Sequence, residues 1–295
     1  MNFSSNNVRG AAFMAICMAL YILNDTFMKL ASSHFSLFQA LCLRGIFATT
    51  MIAMIAWYQK AFLYRLSNKD RRFLTFRIFG DVAATLTYLN ALYNMPLANA
   101  TAILQSLPLV ITLAAALFLG EVVGWRRYLA IIIGFLGILF IVRPGSEGFN
   151  IYSISAVAAV LFITIRDLAT RRLSPEVPSI LVSFWTSFFI MLTGAVLSPA
   201  MEWKAIDGNG LALLFAAAAL MVFAYLFSVM TMRVGDISFV SPFRYTILIW
   251  AIILGYVIFG DVPDGWTLLG TIIIVAMGIY TFYRERQLLK SASEK

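Results

Sequence analysis

Apolar runs of about 20 residues follow one another along almost the whole chain, and a run of that length is what one helical crossing of a hydrocarbon layer requires. They fall roughly at 9–31, 35–57, 74–94, 97–118, 127–143, 149–169, 178–200, 210–232, 236–259 and 265–283. Ten such helices use up most of the 295 residues and leave no room for a large soluble domain. Composition agrees, because 61% hydrophobic and 12% charged residues cannot cover a water-facing exterior. The runs are continuous rather than alternating, which favours helices over the strands of a membrane barrel. Val82 to Gly120 carries no charge and is too long for one crossing, and Asn94-Met95-Pro96 divides it as a turn does. The fold expected is an all-α membrane protein.

Positive residues resist translocation, so alternate loops report orientation. One set of loops holds Arg9, Lys60, Arg65, Lys69, Arg71, Arg72, Arg77, Arg126, Arg127, Arg171, Arg172, Arg233, Arg284, Arg286, Lys290 and Lys295, sixteen in all. The other holds Lys29, Arg143 and Lys204. That bias puts both termini in the cytoplasm, with the chain in the cytoplasmic (inner) membrane, and requires an even number of spans. A net charge of +8 does not indicate nucleic acid, because the basic residues sit between apolar runs instead of on one face. Cys17 and Cys42 lie inside spans and form neither a disulfide framework nor a zinc pattern. The first run shows no A-x-A-like cleavage signal and is expected to remain as a membrane helix.

Shifting the chain by about 140 residues superposes its halves. Gly120-Glu121 falls on Gly260-Asp261, Trp125 on Trp266, Gly137 on Gly278, and Asp25-x3-Lys29 near Asp167-x3-Arg171. Each half holds five spans, and because five is odd the second half enters the membrane inverted relative to the first. Residues 1–145 and 146–284 are the expected repeats, and 285–295 a cytoplasmic tail.

Each half resembles the five-helix EamA-type unit of the drug/metabolite transporter superfamily. The resemblance is carried by Ala98-Asn99-Ala100-Thr101-Ala102 through Leu107-Pro108-Leu109, by Leu117-Phe118-Leu119-Gly120-Glu121, and by Gly134-Phe135-Leu136-Gly137. In the second half it is carried by Gly235-Asp236 to Ser241-Pro242 and by Phe259-Gly260-Asp261. It implies two inverted EamA-like repeats with ten transmembrane helices, a central cavity between them, and movement of small organic solutes. Pro242 comes earlier in its span than Pro108 does, which departs from the usual pattern. Carriers similar to this chain handle vitamins such as riboflavin, S-adenosylmethionine, nucleotide sugars and amino acids, and riboflavin is the first solute to test.

Ionisable groups inside spans are costly, about 2.5–3.5 kcal/mol each on insertion scales, and therefore mark function once simple pairing is excluded. Asp25 and Lys29 are spaced as an i,i+4 ion pair on the first span. Arg166-Asp167 reads as an interfacial anchor. Asp81, Arg44 and Arg244 lie deep. With Asp25 they either close one structural network or leave an arginine to receive a polar or anionic solute group. Tyr88, Gln105, Tyr225, Ser241 and Tyr245 fall on the polar faces of their helices, which must point to an interior. Asp25, Arg44, Asp81, Tyr88, Gln105, Tyr225, Ser241, Arg244 and Tyr245 are the candidate substrate-binding residues. Proton coupling through Asp25 or Asp81 stays open, as does oligomeric state.

A secondary carrier leads among the function classes; its partners are a small-molecule solute and the lipid bilayer, and no cofactor or metal is expected. No P-loop and no H-E-x-x-H occurs, and His34 is the only histidine, in a loop. An Asp25/Asp81 carboxylate dyad would be the basis of an intramembrane enzyme, the weaker alternative. A scaffold or subunit without transport activity is the other.

Overall fold

The computed structural model describes residues 5–120, 124–145, 149–234 and 237–293, and among these there are helices and no strand. The helices are α1 (Ser5–Ala31), α2 (Leu37–Tyr58), α3 (Asn68–Asn94), α4 (Leu97–Leu104), α5 (Leu107–Leu119), α6 (Trp125–Val142), α7 (Tyr152–Thr170), α8 (Ser179–Leu197), α9 (Gly208–Val234), α10 (Ile237–Val240), α11 (Thr246–Phe259) and α12 (Gly265–Ser293). Nine segments of the described chain are long and apolar enough to cross a membrane. The run expected at 74–94 is not among the nine. It belongs to α3, whose 27 residues are ample in length but include Lys69, Asp70, Arg71, Arg72, Arg77 and Asp81.

The run at 97–118 is one apolar segment made of two helices. Pro108 has no N–H to offer the Leu104 carbonyl, so α4 stops before it and α5 restarts with the proline in its first turn. Pro242 acts alike, opening a five-residue 3-10 turn, Ser241–Tyr245, between α10 and α11. The break falls earlier in the second half because the proline does. Further on the halves coincide: α5 ends at Gly120 (φ +71°) and α11 at Gly260 (φ +68°), left-handed caps that a residue without Cβ adopts without strain. The sequence matches on Glu121, Gly235 and Asp236 lie outside the described residues.

Packing follows the same internal symmetry. The contacts are α1 on α9, α3 on α7, α2 on α8, α6 on α12, α4 on α7 and α11 on α1. Count α4–α5 and α10–α11 as one arm each, and replace every arm by the one five places along. Then α1–α9 becomes α7–α3, α4–α7 becomes α11–α1, and α2–α8 and α6–α12 map onto themselves. In lipid, helices associate through close fit and small residues, since apolar side chains gain little by leaving lipid for protein. The α2–α8 and α6–α12 contacts show this. A Cβ on Gly194 of α8 would lie 2.6 Å from the Cys42 backbone nitrogen of α2, and one on Gly270 of α12 would strike the Gly137 carbonyl of α6.

At the start of α3, Ser67 Oγ donates to Asp70 Oδ2 (2.5 Å) and accepts from the Asp70 N–H, a reciprocal cap. Asp70 Oδ1 accepts from the Ser174 N–H at 2.9 Å, which ties α3 to the segment after α7. These donors, Ser67 first, hold the Asp70 carboxyl below its ordinary value. A depressed folded value means the contribution is complete above about pH 4 and is lost as pH falls through the lower value. Between pH 6 and pH 3 the melting temperature of the detergent-solubilised wild type is therefore expected to fall further than that of Asp70→Asn. Parallel profiles would remove Asp70 from the account.

Candidate functional site

Three helices of the first half bring one polar group together. Tyr88 Oη on α3 donates to Asp25 Oδ2 on α1 at 2.7 Å, and Asn24 Nδ2 donates to Asp25 Oδ1 at 2.9 Å. Arg44 on α2 donates through Nη1 to Asn24 Oδ1 at 3.1 Å, so its hydrogen bond reaches the carboxylate by way of the amide. Arg44 is 8% exposed, and its Nε is buried without a hydrogen-bond partner. Tyr93 Oη, within electrostatic reach of Arg44, is likewise buried and unpartnered. A buried donor left unmade costs about 1–3 kcal/mol, a cost that an incoming acceptor would cancel.

A second group joins α3 to the second half. Asp81 Oδ1 accepts from Arg166 Nη1 on α7 at 3.2 Å, and Asp81 Oδ2 lies 3.6 Å from Arg77 Nη1. Arg166 Nε donates to Asp167 at 2.8 Å, and Arg77 donates to Thr186 Oγ1 on α8. Asp81 and Arg77 keep only 16% of their side-chain surface exposed. A third group lies at the end of α1. Lys29 Nζ donates to the Met95 carbonyl at 2.5 Å, stands 3.7 Å from Asp261 Oδ2 and lies 5.0 Å above the Phe259 ring.

Arg244 differs from these. It is half-buried on the Ser241–Tyr245 turn and has no ion-pair partner among the described residues, although Cys17 and Tyr21 of α1 stand within its electrostatic reach. Beside it Tyr245 is buried, its hydroxyl unpartnered and seated where a side chain on Gly278 would be. Ser241 is buried at the head of the turn. Tyr225 on α9 is half-buried and within electrostatic reach of Tyr21 and Arg77. Gln105 is half-buried at the α4–α5 break, and no side-chain hydrogen bond ties it to either charged group.

Two sequence expectations are corrected. Asp25 and Lys29 do not pair: Asp25 turns to Tyr88 and Asn24, while Lys29 reaches across to Met95 and Asp261. Arg166-Asp167 is no mere interfacial anchor, because Asp81 draws Arg166 into the packed α3–α7 contact. Of the two arrangements open for Asp25, Arg44, Asp81 and Arg244, hydrogen bonds do not make the single closed network: Asp25 is bonded with Arg44 through Asn24, and Asp81 with Arg166, while Arg44 and Asp81 are within electrostatic reach of each other. A cavity of about 520 Å³ lies between α3 and α8, a smaller void behind Leu41, Val82 and Ile190 has no room for water, and neither is lined by a candidate residue.

Asn24, Arg77, Tyr93 and Asp261 were missed. An amide next to a carboxylate within a span was the available signal for Asn24. Arg77 reads as a loop charge because α3 begins at Asn68, earlier than its apolar run suggests.

Residues 8–143 and 150–283 each match the EamA-like transporter family, so both halves of the chain are accounted for. The chain belongs to the EamA-like transporter family. Membership makes it a transport protein of the membrane rather than an enzyme. This EamA-family chain is 28% identical over 281 residues to a riboflavin transporter of Vibrio cholerae, covering 93% of each. It is 24% identical over 273 residues to an S-adenosylmethionine uptake transporter of Rickettsia felis, covering 92% of this chain and 91% of the other. A pseudopaline exporter of Pseudomonas aeruginosa is 25% identical over 200 residues, 64% of this chain and 66% of its own. One crystal structure shares the fold with a TM-score of 0.65 at 18% identity, covering 96% of this chain and 99% of that one.

Proposed function

We propose that the chain carries a small, planar, polar metabolite across the cytoplasmic membrane by alternating access, with riboflavin the first candidate. On this reading α3 is the tenth crossing, its charges neutralised by Arg166 and Asp167 of α7 and sheltered by α8. Residues 1–145 and 146–284 are then inverted repeats, both termini face the cytoplasm, and 285–295 forms a tail. The observation that carries the proposal is the sorting of charge at the seam. Arg44 is balanced by Asp25 through Asn24, Arg77 and Arg166 by Asp81 and Asp167, and Lys29 by Asp261, which among the described residues of the seam leaves Arg244 without an acidic partner. An unpaired cation in a span is retained at a cost unless a ligand uses it.

Arg244 would take the electron-rich edge of the solute, Tyr21, Tyr225 and Tyr245 would supply aromatic surface, and the unpartnered donors of Arg44 and Tyr93 would take its acceptors. Ser241 and Gln105 flank the two helix breaks, where freed backbone groups can also meet a solute. Two sets of contacts between the halves stand at opposite ends on this topology: Lys29 with Asp261 outside, and Asp81 with Arg166 toward the cytoplasm. One set can open while the other holds, which is what alternating access requires.

The full-length relatives named for riboflavin and S-adenosylmethionine support a heteroaromatic solute. The test is counterflow of radiolabelled riboflavin in proteoliposomes. Saturable accumulation above protein-free vesicles is expected, and it should be lost in Asp25→Asn. Flux equal to empty vesicles for riboflavin would remove that substrate, and for a whole metabolite panel it would remove transport.

A further inference from the structure

The cavity between α3 and α8 is lined by none of the residues of the polar groups described above. Arg71, Leu74, Thr75 and Ile78 form one face of α3, Leu181, Trp185 and Phe189 one face of α8, and the turn Phe62 to Leu66 closes the end. The α8 wall is apolar over about two turns, roughly 12 Å, and the α3 wall over about one, with Thr75 within it and Arg71 at the end beside the turn. There Arg65 and Arg71 line the cavity. Over 59–78 the sequence holds Lys60, Arg65, Lys69, Arg71, Arg72 and Arg77 against the single acid Asp70, both of whose oxygens are engaged by Ser67 and Ser174. A strongly positive end on a greasy slot about 520 Å³ in volume fits one chemistry: a phosphodiester with acyl chains attached.

We propose that this groove binds an anionic glycerophospholipid of the cytoplasmic leaflet, its phosphate held by Arg65 and Arg71 and its acyl chain laid between Leu74, Ile78, Leu181 and Trp185. The leaflet rests on the orientation given under the proposed function; the groove's selectivity does not. A lipid wedged there would brace α3 against α8, and α3 carries both Tyr88 and Asp81, so occupancy would steady the polar groups of the seam.

Native mass spectrometry of protein released from nanodiscs of equal phosphatidylglycerol and phosphatidylcholine tests this. Two arginines near an anionic headgroup should favour phosphatidylglycerol among retained lipids by roughly 30-fold. Arg65→Gln/Arg71→Gln is expected to remove the preference. Thr75→Trp, which fills the slot and keeps both charges, is expected to remove retention. Equal retention of the two lipids by the wild type, or unchanged retention in either variant, would overturn the proposal. A thermal shift from inorganic phosphate as large as that from phosphatidylglycerol would assign the site to a free anion instead. Nanodiscs expose both faces, so orientation is read separately. Labelling of Arg65→Cys from outside intact cells by an impermeant maleimide would overturn the leaflet and leave the lipid preference standing.

Discussion

Arg244→Ala is expected to lower flux at sub-saturating solute by about 30-fold or more while the protein folds and inserts as the wild type does. Truncating one member of a desolvated charged contact costs about 2–5 kcal/mol, and 1.4 kcal/mol is a factor of ten. Stability should be spared because Arg244 has no ion pair among the described residues and is half-exposed on a short turn. Removing a cation with no acidic partner from a membrane protein is neutral or favourable for the fold. Arg244→Lys keeps the charge but not the planar fork, and is expected to recover part of the flux. The check is concentration-dependent counterflow beside a melting curve. A variant that melts several degrees lower would give Arg244 a structural role, and one with wild-type flux would give it none in binding.

Asp81→Asn is expected to act in the opposite manner, through the fold. Asp81 stands between Arg77 and Arg166, and its loss leaves two guanidiniums close together in a largely buried site with only Asp167 to share. Removing one member of a buried ion pair costs about 3–5 kcal/mol, chiefly because the opposite charge stays behind. The expected result is a sharp fall in melting temperature and in the yield of monodisperse protein. Arg77→Gln in the same background restores charge balance and should recover much of the loss, a coupling that a double-mutant cycle measures directly. Additive effects of the two substitutions would show that Asp81 and Arg77 do not act as a pair.

The path of the chain was largely legible in the sequence because lipid forces each crossing to be apolar and to satisfy its own backbone. The apolar runs, the Asn94-Met95-Pro96 turn and the terminating glycines at 120 and 260 all have local causes that one stretch of sequence displays. The start of α3 was not legible, because Arg71, Arg72 and Arg77 look like loop residues until α7 and α8 are seen beside them. Partners across the seam were also hidden. Lys29 lies one turn after Asp25, so spacing alone suggests a bond, yet Met95 and Asp261 are better placed. Helical periodicity reports the face a side chain occupies, not the helix that meets that face. The break at Pro108 could be read from the chain, while the seating of Tyr245 on Gly278 needed the packing of α12 against the Ser241–Tyr245 turn.

A thermal-shift screen of purified wild type and Arg244→Ala against a metabolite panel containing riboflavin and S-adenosylmethionine tests the account at its centre. A ligand that binds only the folded state raises stability by about 2.7 kcal/mol at one hundred times its dissociation constant, enough for a shift of several degrees. One chemical class of metabolite should produce a saturable rise in the wild type, and that rise should vanish in Arg244→Ala. A rise of equal size in both proteins, or none with any metabolite, would contradict a solute site at the seam.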